Sequence, residues 1–94
     1  MYYLQNPDIV LRDEDEEGGL LINPKSNGAK LVNTTGLFIW KQFATANTPA
    51  AVAVSLQQEF ADVPAEQVVQ DIQEFVAEMI LAGFLLSVDT SFPT

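Results

Sequence analysis

The sequence predicts an α+β domain in which a three-stranded antiparallel sheet is followed by three helices. Three observations carry that expectation. Up to Asn33 short apolar runs alternate with turn residues, from Leu37 to Met79 apolar residues recur at helical spacing, and capping residues stand at the junctions. Strands first and helices second is the order of a domain whose helices gather on one face or end of a sheet.

The elements follow in order. The first strand, about residues 9–14, contains Ile9, Val10, Leu11 and Arg12 and runs into the acidic stretch Asp13-Glu14-Asp15-Glu16-Glu17 before Gly18-Gly19. That composition suits an exposed hairpin turn. The second strand is expected at about 19–23, and Pro24 to Gly28 then supply a turn in which Asn27-Gly28 tolerates positive φ. The third strand, about 29–33, lies along one edge of the resulting meander and is free there unless something covers it.

Asn33, Thr34 and Thr35 are helix N-cap types directly before an apolar run, so a first helix is expected over about 34–45, with Leu37, Ile39, Trp40, Phe43 and Ala44 at helical spacing. Thr48-Pro49 opens a second helix, about 49–60, with Val52, Leu56 and Phe60 on one face. A third start near Asp62 or Val63, with Pro64 in the first turn, leads into the longest helix, about 64–82. It turns Val68 or Val69, Ile72, Phe75 or Val76, and Met79 or Ile80 inward, and Gly83 ends it. Residues 84–88 are expected to pack back on the body as an extended piece, and the last six to fray.

With 94 residues, 48% of them hydrophobic, the chain is read as a single domain, 1–94, with a small core. Its formal net charge is −9, with Arg12, Lys25, Lys30 and Lys41 as the only basic residues, which argues against a nucleic-acid partner. A helix-turn-helix from Thr48 to Ala82 would suggest DNA, but residues 65–82 contain no Lys or Arg. Cysteine and histidine are both absent, which excludes disulfides, thiolate or imidazole metal sites and Cys or His nucleophilic catalysis. No secretory signal pattern and no membrane-length apolar run is present, so the expected address is the cytoplasm, with no membrane partner. The acidic run imitates the start of a calcium loop, but its twelfth position is Pro24, and a solvated turn is the better reading. Asn33-Thr34-Thr35 has the form of a glycosylation sequon and reads better as a cap; Trp40, between Leu37 and Phe43, reads as a core anchor rather than a ligand platform.

The fragments taken together resemble a known family. A strand, a Gly-Gly turn, Leu20-Leu21-Ile22-Asn23-Pro24, a short loop, Leu31-Val32-Asn33, Thr35-Gly36 with Ile39-Trp40, a Thr-Pro helix, and a last helix with Val69, Asp71-Ile72, Phe75, Met79 and Gly83-Phe84-Leu85 together resemble the PqqD-like family, the RiPP recognition elements. The resemblance runs from about Val10 to Leu86 and implies a winged helix-turn-helix fold. It also implies a function: a non-enzymatic chaperone that holds the leader of a ribosomally made precursor peptide and presents it to a modifying enzyme. That enzyme would be a radical S-adenosylmethionine protein or a leader peptidase, and the domain itself would need no cofactor. The leader would add as a strand beside the third strand and lie against the third helix.

The residues expected to bind it are therefore Ala29, Lys30, Leu31, Val32 and Asn33 through the strand backbone, and Gln67, Gln70, Asp71, Glu74 and Glu78 from the helix. Asp71, Glu74 and Glu78 stand at i, i+3, i+7 as one acidic ridge, which calls for a Lys or Arg in the leader. Paired carboxylates with no apolar pocket in evidence do not point to acid–base catalysis. The alternative is an acidic winged-helix interaction or assembly domain without a leader ligand.

Overall fold

The computed structural model describes residues 2–88, and the expected fraying of residues 89–94 falls outside them. Five strands and three helices are formed: β1 (Tyr2–Gln5), β2 (Val10–Asp15), β3 (Gly18–Asn23), β4 (Gly28–Asn33), α1 (Thr34–Gln42), α2 (Pro49–Glu59), α3 (Ala65–Leu81) and β5 (Leu85–Val88). The expected meander is present as a sheet of order β2-β3-β4, antiparallel throughout. Its two turns use the residues that tolerate them: Asn27 sits at φ 58° and Gly18 at φ 145°. At Gly18 no other residue fits, because an added β-carbon would lie 1.9 Å from the Val32 carbonyl oxygen.

The caps explain where the helices begin. Asn33 Oδ1 accepts from the Gly36 N–H at 2.8 Å, and Thr48 Oγ1 from the Ala51 N–H at 3.1 Å. The third helix departs from expectation at its start. Neither Asp62 nor Val63 caps it; Pro64 holds the N-cap position without a side-chain bond, since a prolyl residue in extended conformation directs the chain into a helix without needing its own N–H. Its end is a Schellman turn: the Gly83 N–H reaches the Ile80 carbonyl, the Phe84 N–H reaches that of Met79, and Gly83 takes φ 81°.

The core lies between the inner face of this sheet and the helices. Leu21 and Val32 of the sheet meet Leu37 and Trp40 of α1, Phe43 at its C-cap, Val52 and Leu56 of α2, and Val68, Ile72, Val76 and Met79 of α3. At the ambiguous pairs of α3 it is Val68, Val76 and Met79 that turn inward, leaving Val69 and Ile80 exposed and Phe75 half-buried. Ala44 lies beyond α1 and is exposed. Phe43 is completely buried, and burying a phenylalanine contributes about 1.5–3 kcal/mol by area.

One element has no counterpart in the sequence reading. β1 pairs antiparallel with β5, Tyr3 opposite Ser87, so the final extended piece is a strand and the N-terminal segment its partner. The other side of β1 is occupied as well: Tyr3 and Asn47 exchange both backbone bonds, at 2.8 and 3.0 Å. Gln5 and Asn6 add side-chain bonds to the carbonyls of Trp40 and Gly83, tying this strand to the ends of α1 and α3.

Candidate functional site

Strand β4 alternates. Lys30 and Val32 share a face with Leu21 and point toward the helices, whereas Ala29 and Leu31 point to the opposite side. One edge of β4 is paired with β3 over six residues, and among the described residues no strand pairs with the other edge. Residues 84–88, which could have covered it, pair with β1 instead.

The helix α3 packs chiefly against α2 and β5 and stands off from β4, which opens a groove of about 350 Å³. Asn33, Thr35, Gly36 and Ile39 line one side of it, and Asp71, Glu74, Phe75 and Glu78 the other. Ile39 and Phe75 supply its large apolar side chains, and the α3 wall is acidic. Two of the carboxylates are braced along the helix: Gln67 Nε2 donates to Asp71 Oδ1 at 2.7 Å, and Gln70 Nε2 donates to Glu74 Oε1 at 3.4 Å. The third crosses the gap, since Lys30 Nζ lies 2.9 Å from Glu78 Oε2.

Of the ten residues expected to bind a peptide, Asn33, Asp71, Glu74 and Glu78 line this groove together. Lys30 reaches its end through Glu78; Val32 is buried beneath the sheet, Leu31 and Ala29 face away, and none of these three lines the groove. Gln67 and Gln70 act on the carboxylates rather than on the groove itself. Sequence reasoning missed Thr35, Gly36, Ile39 and Phe75. Phe75 is half-buried beside the inward Val76, and that marginal position was the available signal; Ile39 is buried and gave none.

A larger cavity, about 640 Å³, lies on the far side of α3 and is lined by uncharged residues such as Tyr3, Val76, Ala77 and Ile80. Size does not make it the better peptide site. Of the two strands beside it, β1 has its backbone bonded on both sides and β5 is only four residues long, whereas an extended peptide needs a run of free N–H and C=O groups.

The three-stranded sheet, three following helices and groove along a free edge define the class as the α+β winged-helix fold of the RiPP recognition elements. The chain belongs to the PqqD family, whose model, described as coenzyme PQQ synthesis protein D (PqqD), matches residues 18–85. No curated protein sequence matches it. Among solved structures it is similar to TbiB1 in complex with the TbiA(beta) leader peptide, with a TM-score of 0.78 at 14% identity, covering 92% of this chain and 98% of that one. It is also similar to lasso peptide synthetase B1 complexed with the leader peptide, with a TM-score of 0.75 at 25% identity over 90% of this chain and 98% of that one. No helix among the described residues is long and apolar enough to cross a membrane.

Proposed function

We propose that this protein is a non-enzymatic adaptor that binds the leader segment of a ribosomally synthesised precursor peptide by strand addition and presents it to a peptide-modifying enzyme. The observation that carries the reading is the unpaired edge of β4, whose Asn33 lines the acidic groove beside α3 and whose Lys30 crosses to Glu78 on its wall. A leader strand laid there would take backbone bonds from Ala29 to Asn33, seat an apolar side chain over Ile39 and Phe75, and bring a Lys or Arg to Asp71 and Glu74. The two solved structures named above are leader-peptide complexes, which supports the same ligand class here. The partner enzyme would be a radical S-adenosylmethionine protein or a leader peptidase, and the site of action the cytoplasm, where such precursors are made.

The test is a backbone-amide NMR titration of the labelled protein with the leader half of a candidate precursor. Saturable shifts at residues 29–39 and 67–78 are expected, and shifts confined to the 640 Å³ cavity beyond α3 would overturn the strand-addition geometry. Reversing charge at Asp71→Lys with Glu74→Lys should weaken a basic leader about tenfold at low salt and much less at high salt. A second reading, an acidic interaction or assembly domain without a leader ligand, is favoured by one observation: Leu31 is 80% exposed on the outer side of the sheet.

A further inference from the structure

The sheet has an outer side that no described helix covers, since α1 packs against β3 and β4 from the side of Leu21 and Val32. Two cross-strand rows run over it. Val10, Ile22 and Ala29 form one, and Arg12, Leu20 and Leu31 the other. Val10 is 40% exposed and Leu31 80%, although a large apolar side chain on a sheet face normally finds a neighbour. At one end Leu20 and Leu31 meet Asp13, Asp15 and Glu17 around a hollow of about 220 Å³. Among these three carboxylates none has an ion-pair partner in the described residues, whereas their neighbour Glu14 is held by Lys41.

We infer that this outer face is the docking surface for the peptide-modifying partner, and that the partner meets it with an apolar patch bordered by Arg or Lys. The hollow fits such a side chain: its methylene stem lies on Leu20 and Leu31 while its cationic head reaches the carboxylates. Charge argues against a second copy of this chain as the occupant, because each copy would bring the same acidic border, with Arg12 the one cation in the two rows, and a net charge of −9. The identity of the partner rests on the adaptor reading, and the geometry links the two. A leader strand beside β4 would place every second side chain on this same face, next to Ala29 and Leu31, so the partner would contact sheet and leader as one surface. The bare sheet face spans only about 10 Å by 20 Å, short of the ~800 Å² per partner of a stable interface, and the leader strand and acidic hairpin supply the rest.

The experiment uses the full chain, isotope-labelled, and a synthetic amphipathic peptide of leucine and lysine as the probe of basic apolar chemistry. Residues 10–12 and 20–22 report on the outer face without touching the leader groove. Saturable shifts there, about tenfold weaker in the Asp13→Asn, Glu17→Gln variant and lost in Leu20→Lys, support the inference. Shifts confined to residues 71–78, or unaffected by either variant, overturn it. A parallel leader titration separates the two readings. Leader binding with a silent outer face sinks this inference alone; a responsive outer face with no leader binding sinks the adaptor reading and leaves a docking face for a basic protein.

Discussion

The two edges of the β2-β3-β4 sheet follow opposite rules. At β2 the register shifts between Arg12 and Asp15, Asp13 sits at φ 53°, and the strand carries consecutive charges from Arg12 to Asp15, one of them tied to Lys41 of α1. A bulge and a charge run are the devices by which sheets refuse a further strand. β4 has neither. Its six residues pair with β3 without a break, and its single charged side chain, Lys30, is turned inward to Glu78. One edge is guarded and the other is left receptive, and the receptive one faces the groove.

Gly18→Ala is the largest test of that contrast. Its β-carbon would collide with the Val32 carbonyl at 1.9 Å in a backbone conformation that alanine resists, so the end of the β3–β4 ladder could not form. A loss of about 3 kcal/mol or more is expected in urea denaturation, with loss of amide protection along β4. Next come two proline substitutions, Lys30→Pro and Leu31→Pro. In an edge strand successive N–H groups point alternately to the paired neighbour and outward. One of the two variants should therefore lose about 2–3 kcal/mol of stability, and the other should fold nearly normally but bind leader poorly. Equal destabilisation by both would mean that the outer edge is already bonded. Asn33→Ala removes the cap of α1 at the head of the groove and should cost about 1 kcal/mol, read as a small drop in melting temperature.

The features legible in the sequence are those written locally. Period-two runs, turn residues, the caps at Asn33 and Thr48, and Gly83 placed six of the eight elements to within a few residues. Strand β1 was not legible because its partners, Ser87 and Asn47, lie far along the chain and Tyr2–Gln5 has no neighbouring strand to form a hairpin with. The hint was indirect: residues 84–88 are apolar and extended, and an extended segment needs a partner for its backbone. The groove was half legible. Helical spacing put Asp71, Glu74 and Glu78 on one ridge, but it could not reveal that α3 stands away from β4, and without that gap Phe75 and Ile39 read as ordinary core.

The smallest expected effect separates the edges most directly. Lys30–Glu78 and Lys41–Glu14 are both ion pairs between partly exposed side chains, so each contributes only ~0–1 kcal/mol to stability. Lys30→Met and Glu14→Gln should accordingly denature alike, within ~0.5 kcal/mol of the parent. Their effects on binding should differ. Removing Lys30 frees Glu78 on a wall that already carries Asp71 and Glu74, so a basic leader should bind severalfold tighter at low salt, an advantage that disappears as salt screens the wall. Glu14 lies on the guarded edge and its loss should leave leader affinity unchanged. If Lys30→Met instead weakens the leader, then Lys30 itself receives an acidic group from the peptide, and the polarity assigned to the groove is reversed at that end.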